Sequence, residues 1–516
     1  MPPRKGKYGK LLCRFYEPLI LLEALGKTRG AHTSKPQDAS LTQSKRRRLL
    51  RNLAYLCDYE KGGETTSSIG LEENDQCFVF WVASNATRPR AGNRIVPFLE
   101  SSFAQIRRTI TLKEEEERGR IEEEFIRQCI AFAGSRVKKE IGLLAKMIGR
   151  CKKHLDSTKL EQDTQLAGWL SQFSKKDRPR ADICFQAYHQ RNTTQMRLLE
   201  DKIKMHDGSA GLGNHGFSNV HHYLGRLAAH VRRPKEVIED SIALDHLFDE
   251  YKIRVVQPRP SNERPKADSH TELHSILGRM VPSREPKLGE YKEALTSLDQ
   301  KFNIAKKVRD TYENDNFQPR IHAEIQVLEH FCKNKLSFID NDSYVGCSKP
   351  ACYCCHLYFQ HHPSSPVVPE SHQKIYLNWG LPDLPDGDQD PGYIPQRDLM
   401  NKMLERIRQD ALEQIKQKAG PLKTHADSLT EFTERAVVLS STARHPGESS
   451  LEKRLAVPYV DSALHQFASN VELQLQVLKE SSESSSEESA CSIRDPLEGP
   501  AVDFDSDIDS EGGAVL

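Results

Sequence analysis

Four side chains between positions 322 and 355 have the chemistry of a metal site. His322 and Glu324 stand two residues apart, and Cys352 and Cys355 follow about thirty residues later at a Cys-x-x-Cys spacing. One imidazole and two thiolates are ligands that zinc prefers, and they leave a fourth coordination position open. Glu324 is not needed as a ligand, so its carboxylate is free to move protons beside an activated water. These residue types therefore predict a zinc site that can do chemistry.

The sequence around these side chains predicts two helices that begin at the site. Apolar residues recur at helical spacing over 321–331, which places His322 and Glu324 in a first helical turn. Residues 343–347, SYVGC, are typical of a short buried strand. The two cysteines then fall three residues apart, on one face of a second helix. A thiol near a helix N-terminus has a lowered pKa, which favours the thiolate that zinc binds.

Other cysteines and histidines near this site offer alternative ligands, namely Cys347, Cys354, His356, His361 and His362. Cys354 stands between the two predicted cysteine ligands and points to a different side of the helix. We interpret it as a small buried thiol. His361 and His362 follow the predicted helix, and we interpret them as surface histidines.

The pairing of His-Ala-Glu with a downstream Cys-x-x-Cys, in a helix–strand–helix context, resembles the cytidine deaminase-like superfamily. More narrowly, HAE at 322–324, YVGCSKPACYCC at 344–355 and IYLNWGLP at 375–382 resemble the nucleic acid/nucleotide deaminase-like families expanded in fungi. The resemblance is strongest over residues 315–385. The chain departs from the superfamily pattern at Ala351, which separates the usual proline from the first cysteine.

The resemblance implies His322, Cys352 and Cys355 as ligands of Zn²⁺ and Glu324 as the catalytic proton shuttle. It implies a zinc-dependent hydrolytic deaminase that acts on a nucleobase in a nucleotide or nucleic acid. In such enzymes a glutamate assists attack of zinc-bound hydroxide at the ring carbon that bears the amine. The alternative is a non-catalytic, zinc-stabilised deaminase-like interaction protein.

The resemblance also implies an α/β fold, with a three-layer α/β/α core around a mixed sheet. In that superfamily a helix and a β-hairpin precede the His-Ala-Glu helix. A helical pattern at 42–60 and two β-rich runs at 64–71 and 77–83 match this opening. We therefore predict that the core begins near residue 40, and that a large helical insertion follows the hairpin. A separate helical domain is the alternative for that segment.

Two further residues are predicted to bind the substrate. Asn85 directly follows the hairpin, where the superfamily often has an asparagine that contacts the substrate. Trp379 closes a predicted strand at 374–377 and is expected to stack on a base, with core packing as its alternative role.

The chain is predicted to have five parts. In order these are a basic N-terminal segment (1–40), the first part of the core (41–90), the helical insertion or separate helical domain (91–312), the zinc-binding core (313–442), and a C-terminal region (443–516). The acidic, serine-rich tail from about residue 480 has too few apolar residues to fold and is predicted to be disordered. A basic protein is a possible partner for this tail.

The composition excludes several other classes of protein. Twelve cysteines in 516 residues do not indicate a disulfide scaffold. The N-terminus lacks the apolar stretch of a secretion signal, and no run of eighteen apolar residues predicts a membrane span. We therefore expect an intracellular protein, cytoplasmic or nuclear, that is not secreted and has no membrane partner.

Overall fold

The strands beside the predicted metal site form one mixed sheet in the computed structural model. The structure describes residues 6–33, 39–86, 92–158, 160–174, 178–206, 214–282, 284–314, 318–423 and 425–427. The strands of this part of the chain are β1 (Ser67–Glu73), β2 (Phe78–Ser84), β3 (Tyr251–Val255) and β4 (Val345–Cys347). Their order is β3-β2-β1-β4, with β1 antiparallel to β2 and β4, and β2 parallel to β3. The predicted α/β class with a mixed sheet is confirmed.

Helices make up most of the rest of the described chain. In chain order they are α1 (Lys7–Leu25), α2 (Leu41–Cys57), α3 (Gly92–Thr111), α4 (Glu115–Phe132), α5 (Gly134–Thr158), α6 (Glu161–Ser171), α7 (Arg180–His189), α8 (Thr194–His206), α9 (Asn214–Ala243), α10 (Leu273–Met280), α11 (Leu288–Phe302), α12 (Ile304–Glu313), α13 (Ala323–Asn334), α14 (Tyr353–His361) and α15 (Tyr393–Lys416). Short 3₁₀ turns connect several of them.

Two glycines show that helices cover both faces of the sheet. A Cβ atom on Gly70 of β1 would lie 2.6 Å from Cγ1 of Val327, so α13 packs closely on that face. A Cβ atom on Gly346 of β4 would lie 2.5 Å from the backbone carbonyl carbon of Leu50 in α2. Gly70 pairs with Val345, and neighbouring strand residues point to opposite faces. The sheet therefore lies between α13 and α2, as the middle of three layers.

The predicted helical segment 91–312 contributes directly to this core. β3 lies inside that range and pairs with β2 along five residues. α9 also packs on α2. There, Arg48 Nε and Nη2 donate hydrogen bonds to the two carboxylate oxygens of Asp240 at 2.8 and 2.7 Å. The Asn52 amide donates to Glu236 at 2.8 Å in the same contact. The division into an insertion and a core stays a prediction.

The prediction of a strand at 374–377 is wrong, because these residues form no strand in the structure. Lys374 makes an isolated bridge to Thr28, and the Ile375 N–H donates to the Lys27 carbonyl oxygen at 2.8 Å, but no ladder follows. Gln373 has a positive φ of 55°, which turns the chain just before the apolar run and prevents regular pairing.

The predicted C-terminal region (443–516), with its acidic tail from about residue 480, lies outside the described residues, as does the end of the predicted zinc-binding core (428–442). The predicted disorder of the tail therefore stays a prediction. Within the described part of the chain, no helix is both long enough and apolar enough to cross a membrane.

Candidate metal centre

Two helix N-termini meet at the predicted site. His322 is the N-cap residue of α13, with an extended backbone (φ −68°, ψ 150°) and no capping hydrogen bond from its imidazole. Cys352 caps α14, and its sulfur accepts a hydrogen bond from the Cys355 backbone N–H at 3.4 Å. Each predicted ligand is therefore held at, or within one turn of, a helix start.

The three predicted ligands lie close enough to share one ion. His322 Nδ1 is 3.6 Å from Cys352 Sγ and 3.3 Å from Cys355 Sγ, and the three ligand atoms all lie within 4.8 Å of one another. A tetrahedral zinc with bonds of about 2.1 Å to nitrogen and about 2.3 Å to sulfur separates such ligands by about 3.5 Å. The spacing of these side chains therefore fits a zinc ion with tetrahedral coordination.

Glu324 lies beside this group with an oxygen that nothing in the described structure satisfies. Its side chain is only 4 % exposed, and Oε2 has no hydrogen-bond partner. Burial raises the pKa of Glu324, and the charge of Cys352 raises it further, whereas the imidazole of His322 opposes the change. A buried acceptor without a partner is costly, so this oxygen is available to accept a hydrogen bond beside the three predicted ligands.

The cysteines of α14 do not share one environment. Burial opposes ionisation of Cys352, but contacts with Cys355 and His322 hold the pKa of its thiol well below the usual range. Burial, reinforced by the Cys352 contact, raises the pKa of Cys355. Among the described residues, His322, Cys352 and Cys355 are the group whose spacing could hold a metal ion, called here the metal-ligating group. Cys354 is fully buried and does not belong to it. This placement agrees with our interpretation of Cys354 as a buried thiol.

Trp379 lies against the site from the core side. It has no exposed surface and packs between Phe15 and Tyr358, with ring centroids 5.8 and 6.3 Å from its own. Its indole N–H donates to Cys355 Sγ at 3.2 Å. This environment is the core packing that the sequence left open as an alternative, and stacking on a substrate ring stays a prediction.

Asn85 lies at the start of α13. Its Oδ1 accepts a hydrogen bond from the Ala323 backbone N–H at 2.8 Å, and its Nδ2 donates to the Gly63 carbonyl oxygen at 2.9 Å. His322 itself makes no side-chain capping bond, so Asn85 satisfies a helix N–H that its own cap leaves free. Asn85 therefore orients the His-Ala-Glu turn, and its predicted contact with a substrate stays a prediction.

Replacing Asn85 with Ala is expected to destabilise the protein by about 1 kcal/mol, because it removes a helix-capping acceptor. The measurement is the free energy of unfolding in urea. Asn85→Asp keeps the acceptor oxygen and is expected to lose less stability than Asn85→Ala. Equal stability of Asn85→Ala and the unaltered protein would show that the Ala323 bond does not support the turn.

A buried chain of charges connects the site to the helical segment. Asp58 accepts from Ser348 Oγ at 3.3 Å, and its backbone carbonyl accepts from Arg136 of α5 at 2.8 Å. Arg136 in turn contacts Glu140, whose carboxylate also binds Arg226 at 2.8 Å. Ser348 begins the turn that leads into Cys352. The sequence analysis did not single out these residues, because a single polar residue carries no signal of a long-range contact in the sequence.

In a comparison with protein-family models, residues 321–383 match the family described as OTT_1508_deam-like deaminase. The matched stretch contains all three residues of the metal-ligating group together with Glu324. The chain carries a deaminase-like domain. No curated protein and no solved structure matched in the two other comparisons.

The predicted resemblance to the deaminase-like superfamily is confirmed for this stretch of the chain. The deaminase-like match includes Trp379 but leaves out Asn85 and the strands β1 to β3. The narrower assignment to families expanded in fungi stays a prediction.

Proposed function

We propose that this protein is a zinc-dependent hydrolytic deaminase that acts on a nucleobase in a nucleotide or nucleic acid. The observation that carries the proposal is the buried, unpartnered Oε2 of Glu324 beside three ligand atoms spaced for a tetrahedral ion. A site built only to hold a structural metal needs no such carboxylate. The deaminase-like family match over the same residues supports this reading.

The side chains of the site divide into metal ligands and a proton shuttle in this reaction. His322, Cys352 and Cys355 hold the metal, and a bound zinc supplies Lewis acidity that makes water easier to deprotonate. Glu324 takes a proton from the attacking water and delivers it to the ring nitrogen. A second proton then passes through Glu324 to the exocyclic amine, which leaves as ammonia while the ring carbon becomes a carbonyl. Water is consumed and one ammonia is released.

The reaction limits the class of substrate. Attack of water with loss of ammonia requires a ring carbon that bears an exocyclic amine, as in cytosine and adenine. We therefore place the substrate among these bases, carried by a nucleotide or a nucleic acid.

The enclosure of the site favours a second candidate function. His322, Glu324, Cys352 and Cys355 are 8 %, 4 %, 3 % and 0 % exposed. Two surface grooves of about 650 Å³, one along β3 and one against α15, include none of them. Such low exposure fits a non-catalytic, deaminase-like interaction protein that zinc stabilises, because a purely structural ion needs no access for a base.

Metal analysis of the purified full-length chain tests the first part of the proposal. We expect close to one zinc per chain, bound by the single metal-ligating group of the described residues, and loss of that zinc in Cys355→Ser. Cys354→Ser is the matched control, because Cys354 is equally buried on the same helix but stands outside the group. Zinc retained by Cys355→Ser, or lost equally from both variants, would contradict the proposed ligands.

Ammonia release tests the second part. The zinc-loaded protein is incubated with cytosine- and adenine-containing nucleosides, nucleotides, single-stranded RNA and single-stranded DNA. We expect ammonia from at least one of them. A protein that holds zinc and releases no ammonia from any of them supports the non-catalytic alternative instead.

A further inference from the structure

We infer that Trp379 is a positioning residue for the metal ligand Cys355, and that its indole N–H fixes the orientation of the ligating sulfur. The inference rests on metal binding by the group proposed above, but not on turnover. Trp379 Nε1 lies 3.2 Å from Cys355 Sγ, close enough for the indole N–H to donate a hydrogen bond to the sulfur.

The physical reason for such a contact is the charge on the sulfur. A thiolate that binds a metal keeps negative charge, and in this site little water reaches it, because Cys355 has no exposed surface. A donor aimed at the sulfur stabilises that charge and restricts rotation of the side chain. Outer partners of this kind typically change metal affinity by about 10–100-fold when they are removed.

The surroundings hold Trp379 in place for this role. The Tyr16 hydroxyl donates to the Trp379 carbonyl oxygen at 3.1 Å. The next residue, Gly380, donates its N–H to the Arg320 carbonyl oxygen at 2.8 Å. A Cβ atom at Gly380 would lie only 2.8 Å from Cβ of Pro319, so the chain approaches more closely there than another residue permits.

A second anchor comes from the segment that follows β3. The side-chain oxygen of Asn262 accepts from the Leu381 N–H at 2.7 Å, and its amide nitrogen donates to the Tyr16 hydroxyl at 3.1 Å. Asn262 is 1 % exposed. Three separate parts of the chain therefore hold the backbone of residues 379–381, which carries the indole against Cys355.

The test compares two tryptophan variants of the full-length chain. Trp379→Phe keeps an aromatic ring and removes the N–H. Trp169→Phe makes the same chemical change at a residue of α6, where the indole donates to Gln190 at 3.0 Å in a different hydrophobic core. Zinc affinity is measured by competition with a chelator, and the cobalt-substituted proteins are compared by their thiolate-to-metal charge-transfer absorption.

We expect Trp379→Phe to bind zinc about 10–100-fold more weakly and to shift the cobalt absorption. Trp169→Phe is expected to match the unaltered protein in both measurements. Unchanged zinc affinity and an unchanged cobalt spectrum in Trp379→Phe would overturn the inference, as would equal losses in both variants.

A measurement on the unaltered chain covers the case in which Trp379→Phe does not fold. The protein has three tryptophans, so labelling them with ¹⁵N gives a simple set of indole N–H signals. One signal is expected to move on zinc loading and to couple to ¹¹³Cd through the sulfur in the cadmium form. The inference would be overturned if none of the three indole signals shifted on zinc loading or coupled to ¹¹³Cd.

The outcomes separate this inference from the proposed function. A chain that holds zinc but releases no ammonia overturns only the proposed deaminase activity. A chain that holds no zinc overturns both.

Discussion

Replacing Glu324 with Gln is expected to slow ammonia release by about 10²–10⁴-fold, the usual contribution of a general acid–base group. The amide has nearly the shape of the carboxylate but cannot take a proton from water. The unpartnered Oε2 is the atom that we expect to accept this proton in the unaltered protein. The measurement is kcat/KM on whichever base-containing substrate gives ammonia with the unaltered protein.

Two controls test whether a loss of activity in Glu324→Gln comes from the missing proton acceptor. The zinc content of Glu324→Gln should equal that of the unaltered protein, because Glu324 is not among the ligating group. Glu329→Gln makes the same change five residues later on α13, where the side chain binds the Tyr358 hydroxyl and His362. We expect this control to keep its rate. Full activity in Glu324→Gln would remove Glu324 from the mechanism.

The second large effect is expected at Gly346. An alanine there would place its Cβ 2.5 Å from the Leu50 carbonyl carbon and 2.7 Å from the Arg51 nitrogen. Both are backbone atoms of α2, so no side-chain rotation relieves the clash and the helix must move away from β4. Overpacking of this kind typically costs about 1–3 kcal/mol, and a backbone contact should reach the upper end. The free energy of unfolding in urea measures this loss.

The matched control for Gly346→Ala is Gly149→Ala. Gly149 is exposed on α5, and a Cβ atom there meets nothing within 4 Å. Alanine is the better helix former, so this change should stabilise the protein by up to about 1 kcal/mol. Because β4 leads directly into the turn before Cys352, Gly346→Ala should also release zinc at a lower urea concentration. Similar unfolding energies for both variants would contradict the close packing of α2 on β4.

The metal-ligating group was predictable from sequence because its signal is local. His322 and Glu324 share one helical turn, and the two cysteines share another. The chemistry of zinc then restricts which of the nearby thiols and imidazoles serve together. The predicted hairpin and α/β class were also accessible, since alternation of apolar residues and a polar turn are visible in one short stretch.

The course of the chain outside these motifs was harder to predict. The alternating pattern of Tyr251, Ile253 and Val255 is a strand signal, and β3 could have been recognised from it. Its partner β2 lies far away in the chain, however, and pairing over such a distance leaves no trace in either strand. The opposite error occurred at 374–377, where an apolar run looked like a strand but is turned aside at Gln373.

The contacts of Asn85 and Trp379 could not have been foreseen from their residue types. An asparagine after a strand and a tryptophan near a cysteine motif are compatible with substrate contacts or with structural roles. The bonds to Ala323 and Cys355 depend on how distant segments pack together. The hydrogen-bond partners of such side chains are determined only when the chain folds.

The sheet order determines which shortened proteins are worth expressing. Of the described strands, only β4 lies within residues 321–383, and it borders β1 from residues 67–73. A fragment trimmed to the matched stretch would leave β4 without a hydrogen-bonding neighbour and would expose the apolar surface of α13 that rests on β1. Such a fragment should aggregate rather than take up metal. A soluble minimal version must therefore retain β1 (residues 67–73) together with the matched stretch.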